Sequence, residues 1–164
     1  MATISFQGNP LHTTGELPVI GSKAPDFILV SSQLEDVTLD TYAGKKKVMN
    51  IVPSLDTPTC AASTRKFNQK AAHLANTVVL VISADLPFAQ CRFCETEDLT
   101  DVIALSCFRS RFAEDYGVKL ADTLLAGLTA RAVIIIDEDD NVIYTELVSE
   151  LADEPDYESA LAVL

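Results

Sequence analysis

The stretch "NIVPSLDTPTCAAST" (Asn50–Thr64) joins a strand to a helix and places a cysteine at the junction. The apolar run before Pro53 predicts a short buried strand that the proline ends. Pro58 suits the first position of a helix, which makes Thr57 the N-cap and Cys60 the third helical residue. The sequence therefore predicts a strand, a turn and a helix with a thiol in its first turn.

A thiol in the first helical turn has a physical reason to react. The free N–H groups and the positive dipole end of the helix stabilise a thiolate there, and we expect the Thr57 hydroxyl to reach the backbone N–H of Cys60. The same spacing predicts one shared helix face, made up of Cys60, Thr64, Phe67, Ala71 and Leu74. A cysteine that only fills a gap in the core fits this face as well, so the position alone leaves both interpretations open.

Activation of this thiol by a histidine is disfavoured. The chain has 2 histidines, His12 in a predicted N-terminal hairpin and His73, which lies roughly 20 Å beyond Cys60 along a regular helix. A Cys–His dyad of the protease type is therefore disfavoured. Arg131, directly before the apolar run Ala132–Ile136, is the candidate cation, although an exposed arginine at a strand end explains it equally well.

Composition indicates a globular chain and excludes several classes of partner. The 164 residues are 48% apolar and carry a net charge of -12, which predicts one domain spanning residues 1–164 and disfavours nucleic acid and membrane surfaces as partners. No basic leader with an apolar core is visible, and the apolar runs are too short to cross a bilayer. The 4 cysteines then indicate cytoplasmic thiols rather than a secreted disulfide framework.

Strand and helix patterns alternate along the chain and predict an α/β domain with a mixed central sheet. An N-terminal β-hairpin is expected within about residues 1–15. The strands are predicted at Phe27–Val30, in "VTLDTYAGKKK", and at Val48–Val52, Val78–Ser83, Val102–Leu105, Val133–Asp137 and Val142–Leu147. The helices are predicted at Pro58–Ala75, Leu86–Leu99, Phe108–Tyr116 and Pro155–Val163.

Four segments of the chain resemble one known family. "PSLDTPTC" matches the P-x-x-x-T-x-x-C motif of peroxiredoxins, and "GSKAPDF" is similar to the segment before that family's sheet. "SADLPFAQCRFC" and "LTARAVIIIDEDDNVIY" resemble the bacterial thiol peroxidases, the atypical 2-Cys subfamily of peroxiredoxins. The similarity extends over essentially the whole chain.

The resemblance implies a thioredoxin-like fold and a peroxidase that needs no metal or organic cofactor. By matching positions, Cys60 would be the peroxidatic cysteine, Cys94 the resolving cysteine, Thr57 the hydroxyl partner, Arg131 the guanidinium and Pro53 the shield of the pocket. Hydrogen peroxide and organic hydroperoxides would be reduced through a Cys60 sulfenic acid and a Cys60–Cys94 disulfide. Thioredoxin would recycle the enzyme, and the expected assembly is a homodimer.

Cys91 and Cys94 form a C-x-x-C pair that leaves alternatives open. The pair is typical of disulfide oxidoreductases, where it usually opens the helix after the first core strand; here Pro87 has already started a helix. Two such thiols are also half of a zinc site. A redox-sensing domain without turnover is a third alternative. We interpret Cys91 as a bystander or an alternative resolving thiol, and Cys107 as a packed core thiol.

Overall fold

The computed structural model describes residues 1–71 and 73–164. Its strands are β1 (Thr3–Phe6), β2 (Asn9–His12), β3 (Leu29–Ser31), β4 (Asp36–Val37), β5 (Lys46–Ile51), β6 (Thr77–Ser83), β7 (Val102–Ser106), β8 (Ala132–Ile136) and β9 (Val142–Leu147). Its α-helices are α1 (Pro58–Lys70), α2 (Pro87–Thr96), α3 (Phe112–Asp115) and α4 (Tyr157–Leu161), and a short 3-10 helix spans Leu39–Tyr42.

Seven strands form one mixed sheet in the order β4-β3-β7-β6-β5-β8-β9. The central strands β5, β6 and β7 are parallel, with α1 and α2 as their crossover helices, whereas β8 and β9 run antiparallel to their neighbours. The predicted α/β architecture with a mixed central sheet is confirmed.

Alternating side chains of the central strands supply a core on each face of the sheet. In β5, Met49 and Ile51 point into a core that also contains Phe112 of α3 and Tyr116. Val48 faces the other core, which is closed by α1, α2 and α4. Helix α1, which carries Cys60, therefore packs on one face of the sheet.

The register of β5 and β8 decides which residues meet beside α1. These strands are antiparallel with Ile51 opposite Ala132, so the carboxyl end of β5 and the amino end of β8 share one edge of the sheet. The chain leaves β5 there toward α1 and enters β8 there through Arg131. Residues far apart in sequence are thereby brought to one place.

The predicted N-terminal hairpin is present and lies against this same edge. β1 and β2 pair with Thr3 opposite His12. Ile4 and Leu11 of the hairpin pack with Leu151 in a small third core, and the Ser5 N–H donates to the Ser149 carbonyl at 2.8 Å. The hairpin therefore supports the segment that follows β9.

Several predicted boundaries are wrong, mostly at the ends of elements. α1 ends at Lys70 instead of Ala75, and Leu74, expected on its buried face, is 41% exposed; Ala72 of the predicted helix lies outside the described residues. The helix predicted over Phe108–Tyr116 is reduced to the short α3, Phe112–Asp115. Helix α2 ends at Thr96 instead of Leu99. Helix α4 spans Tyr157–Leu161 instead of the predicted Pro155–Val163. Strand β3 is displaced toward the C-terminus from the predicted Phe27–Val30.

Candidate active site

Cys60 lies in the first turn of α1 and is completely buried. Thr57 has the extended backbone of an N-cap (φ -109, ψ 148), and Pro58 follows at the first helical position, as predicted. The Cys60 sulfur accepts a hydrogen bond from Nη1 of Arg131 at 3.3 Å. A thiolate at this position is stabilised by both the helix end and a guanidinium.

Arg131 is 2% exposed, so the alternative of a solvent-facing arginine at a strand end is wrong. Its Nε donates to the Leu151 carbonyl at 2.9 Å, which leaves Nη1 directed at the sulfur of Cys60. Leu151 is the same residue that packs against the N-terminal hairpin. The guanidinium is thus held from two sides, and its buried charge faces the sulfur of Cys60.

The hydroxyl of Thr57 does not make the predicted cap hydrogen bond to the Cys60 N–H. It donates instead to the Ser54 carbonyl at 3.0 Å, and the cap has no side-chain hydrogen bond. The turn after β5 places the Ser54 carbonyl three residues before this hydroxyl, within its reach. The lone pairs of the Thr57 oxygen remain available as acceptors. Pro53, at the start of this turn, is buried.

Asp85 is a site residue that the sequence patterns did not predict. Its carboxylate accepts from the Ser54 hydroxyl and the Leu55 N–H, both at 2.7 Å, and from the Ser83 hydroxyl at 2.7 Å. These hydrogen bonds tie the turn before α1 to the end of the neighbouring strand β6. An acidic residue just after a buried strand was the available signal.

Polar side chains under the first turn of α1 hold the backbone of Cys60. The Thr64 and Ser63 hydroxyls donate to the Cys60 carbonyl at 2.8 and 3.1 Å, and the Asn50 amide donates to the Ser63 hydroxyl at 3.2 Å. All three side chains are fully buried. The position of the sulfur is therefore fixed from below as well as by Arg131.

Both histidines are engaged elsewhere, as expected. The His12 ring lies 2.6 Å from the Asp122 carboxylate beside the hairpin, and the His73 ring lies 3.6 Å from Asp101. The Asp122 carboxyl has a lowered pKa because the His12 ring and backbone N–H hydrogen-bond to it.

The other three cysteines are free thiols whose surroundings favour protonation. Burial, with a smaller effect of Cys91, raises the pKa of Cys94 to about 11. Partial desolvation and the Glu95 carboxylate raise the pKa of Cys91. Burial raises the pKa of Cys107 to about 11, and this thiol packs in the core as predicted. The C-x-x-C pair lies within α2 and lacks the thiolate-stabilising setting of an oxidoreductase pair.

Two grooves flank α2 on opposite sides. The first, of about 820 Å³, lies between the start of α1 and one face of α2 and is lined by Leu55, Asp56, Thr57, Pro58, Ala61, Asp85, Phe88, Ala89, Arg92, Phe93, Thr96 and Glu97. The second, of about 540 Å³, contains Gln90, Cys91, Cys94 and Glu95 on the other face of α2. Cys94 is thus not directed into the groove that reaches the first turn of α1.

Neither a metal cluster nor a membrane span is found in the part of the chain that the structure describes. Residues 1–71 and 73–164 contain no group of three or more histidine, cysteine, aspartate or glutamate side chains arranged to hold a metal ion. Within these same residues, no helix has the length and apolar character needed to cross a bilayer.

Comparison with known proteins gives consistent matches over nearly the whole chain. The family model described as Redoxin matches residues 20–161. The thiol peroxidases of Mycobacterium tuberculosis and Mycobacterium bovis are each 51% identical over 164 residues, which is 100% of this chain and 99% of theirs. A peroxiredoxin-like protein from Aquifex aeolicus superposes with a TM-score of 0.94 at 39% identity, covering 99% of this chain and 95% of that one. The thiol peroxidase from Chromobacterium violaceum, at 24% identity, has a TM-score of 0.88 and covers 98% and 94%.

The fold and these matches define a redoxin with a thioredoxin-like fold and an added N-terminal hairpin, as predicted. Within that class the chain belongs to the thiol peroxidase family. It is an enzyme, a thiol-dependent antioxidant peroxidase of the peroxiredoxin type. Such a peroxidase uses cysteine redox chemistry and requires a peroxide and a reductant.

Proposed function

We propose that Cys60 is the peroxidatic cysteine. The observation that carries this proposal is the 3.3 Å hydrogen bond from the buried Arg131 guanidinium to the Cys60 sulfur at the start of α1. The Cys60 thiolate attacks one oxygen of the hydroperoxide, the O–O bond breaks, and the other oxygen leaves as an alkoxide or hydroxide that takes up a proton. Cys60 is oxidised to the sulfenic acid and the peroxide is reduced to an alcohol or water.

The neighbouring groups have distinct tasks in this step. Arg131 stabilises the thiolate and then the negative charge that develops on the leaving oxygen. The Thr57 hydroxyl, which donates to the Ser54 carbonyl, accepts the hydrogen of the bound hydroperoxide and orients it. The buried Pro53 keeps water from the sulfur. No metal or organic cofactor takes part in this proposal.

The substrates are hydrogen peroxide and organic hydroperoxides. The groove beside α1 supports the second class, since Leu55, Pro58 and Phe93 give it apolar walls and Phe88 is 70% exposed beside it. Phe67 is fully buried against Tyr157, with ring centroids 5.2 Å apart, and does not contribute to this groove. An alkyl chain in this groove would lie with its peroxide end toward the first turn of α1.

Cys94 is the resolving cysteine in this proposal. Its thiol attacks the Cys60 sulfenic acid, water leaves, and a Cys60–Cys94 disulfide forms. Because Cys60 is fully buried and Cys94 lines the groove on the far side of α2, the first turn of α1 has to unwind and α2 has to shift. We expect amide hydrogen exchange in residues 58–63 to be faster in the oxidised protein, and equal exchange in both redox states would contradict this movement.

The reductant, assembly and location complete the proposal. Thioredoxin reduces the disulfide, and the reaction takes place in the cytoplasm. Residues 1–164 act as one domain, in which the N-terminal hairpin packs against Leu151, whose carbonyl holds Arg131. The protein is a homodimer, an assembly supported by the exposed apolar side chains of Leu86 and Phe88. Sedimentation equilibrium of the reduced protein gives about twice the chain mass if this is correct.

Turnover measurements test the proposed function directly. Catalytic amounts of the protein, with thioredoxin, thioredoxin reductase and NADPH, should consume cumene hydroperoxide, and Cys60→Ser should abolish consumption. Turnover that persists in Cys60→Ser but is lost in Cys91→Ser would instead support the C-x-x-C oxidoreductase. A single burst without turnover, with active thioredoxin present, would support a redox sensor.

A further inference from the structure

The second thiol of α2 has no task in the proposed cycle, yet it lies beside the resolving cysteine. Cys91 precedes Cys94 by one helical turn, and both thiols line the same groove of about 540 Å³. Both side chains are partly exposed, whereas Cys60 is fully buried. Cys91 and Cys94 therefore lie on the same face of α2, one helical turn apart.

Formation of the Cys60–Cys94 disulfide is expected to break several stabilising contacts of Cys60. Forming it removes the Cys60 sulfur from Arg131 and opens the turn whose carbonyl accepts from Ser63 and Thr64. Any thiol that replaces Cys60 on Cys94 restores these contacts. Once the turn refolds, the released Cys60 thiolate is also stabilised by Arg131 and the helix end, which favours the exchange.

Cys91 has a proton acceptor in contact. Its Sγ donates to Oε1 of Glu95 at 3.6 Å. Residues three apart on a helix have Cβ atoms about 5–6 Å apart, and a disulfide needs about 3.5–4.5 Å, so closure requires a local shift of about 1–2 Å. Cys94 lies in the last turn of α2, where such a shift disturbs few hydrogen bonds.

We propose that Cys91 is a second resolving thiol that takes the disulfide over from Cys60, a step that rests on the proposed peroxidase cycle. The Cys91 proton passes to the Glu95 carboxylate, the Cys91 sulfur attacks the Cys94 sulfur, and the Cys60–Cys94 bond breaks. One S–S bond forms and one breaks, so no further oxidant is needed. Cys60 leaves as a thiolate and returns to Arg131, and the reductant meets a Cys91–Cys94 disulfide on the surface of α2.

Time-resolved disulfide mapping tests this exchange. Fully reduced Cys107→Ser protein receives one equivalent of cumene hydroperoxide, is quenched in acid at successive times, alkylated and digested with trypsin. In this background Cys60 falls in residues 48–65, Cys91 in residues 71–92 and Cys94 in residues 93–109. We expect the link between residues 48–65 and 93–109 first, then its replacement by the link between 71–92 and 93–109 while Cys60 becomes alkylatable again.

Three further variants separate the outcomes. With Cys91→Ser the Cys60–Cys94 link should persist until a reductant is added, and with Glu95→Gln its conversion should slow by about tenfold. With Cys60→Ser no link should form at this dose. A Cys60–Cys94 link that never converts in the Cys107→Ser protein overturns the exchange and leaves the peroxidase cycle intact.

Two remaining outcomes are equally decisive. A Cys91–Cys94 link that forms as fast in Cys60→Ser overturns the exchange, because the pair then oxidises without Cys60. Absence of the Cys60–Cys94 link even in Cys91→Ser contradicts the proposed resolution step itself, and the exchange fails with it.

Discussion

At the start of α1 the Cys60 sulfur lies 3.3 Å from a buried guanidinium, whereas on α2 the Cys94 sulfur lies beside another thiol. Burial encloses different neighbours at the two places. Around Cys60 it encloses the Arg131 guanidinium, and around Cys94 it raises the pKa to about 11. The comparison indicates that the neighbours of each thiol, together with its burial, would separate the proposed peroxidatic role of Cys60 from the proposed resolving role of Cys94.

Removing the Cys60 sulfur should have the largest effect. Cys60→Ser should lower hydroperoxide reduction by more than about 10³-fold, since the remaining thiols lie in surroundings that favour protonation. Stopped-flow oxidation of NADPH through thioredoxin measures this rate. Cys107→Ser, which changes a core thiol, is the matched control and should retain the wild-type rate; substantial activity in Cys60→Ser would break the comparison.

Removing the Arg131 guanidinium should have the second-largest effect. Arg131→Met should slow formation of the Cys60 sulfenic acid by about 10²–10³-fold, because both the thiolate and the leaving oxygen lose a preorganised donor. The single-turnover rate with excess hydroperoxide measures this step, with circular dichroism to verify the fold. Arg65→Met, on the same helix but paired with the partly exposed Glu97 at 3.1 Å, is the control and should react normally. Equal rates for the two variants would show that Arg131 is only structural.

The alkylation rate of Cys94, the proposed resolving thiol, should depend on pH. Burial disfavours the Cys94 thiolate, so below its pKa of about 11 the thiolate fraction rises about tenfold for each pH unit. In Cys107→Ser protein, alkylation of Cys94 by iodoacetamide should therefore accelerate by roughly a hundredfold between pH 8 and pH 10. Mass spectrometry of residues 93–109 measures the rate. A plateau by pH 9 would contradict the raised pKa.

The Thr57 hydroxyl should have the smallest of these effects. Thr57→Val should lower the rate of Cys60 oxidation by about tenfold, the value of about one hydrogen bond in the transition state, while Thr57→Ser should retain most of it. The same single-turnover assay applies. An equal loss in both variants would assign the effect to packing of the methyl group rather than to the hydroxyl.

Local patterns in the sequence were sufficient for much of the fold and for the start of α1. Thr57 and Pro58 predicted its first turn correctly, and the apolar runs predicted the central strands. The end of α1 was wrong because the sequence after Lys70 retains a helical pattern that the tertiary structure does not use. Helix ends depend on what the chain packs against next, and a local pattern does not contain that information.

In the candidate site, too, local sequence predicts some features, whereas others depend on tertiary contacts. The position of Cys60 follows from its own segment, but the burial of Arg131 depends on the register of β5 with β8 and on the carbonyl of Leu151. Asp85 was missed for this reason, since its partners Ser54 and Leu55 belong to a different connection. The predicted Thr57 cap hydrogen bond was wrong: the hydroxyl donates to the Ser54 carbonyl and accepts no hydrogen bond from the first turn of α1.

The most direct test of the account uses a protein that retains only two thiols. The double variant Cys91→Ser with Cys107→Ser, fully reduced, receives one equivalent of cumene hydroperoxide and is then alkylated, digested and mapped. We predict that residues 48–65 become linked to residues 93–109 through Cys60 and Cys94, with loss of both free thiols. Two thiols that both remain alkylatable, or a Cys60 that is oxidised without ever joining Cys94, would contradict the pairing of a cation-stabilised thiol with a resolving thiol on α2.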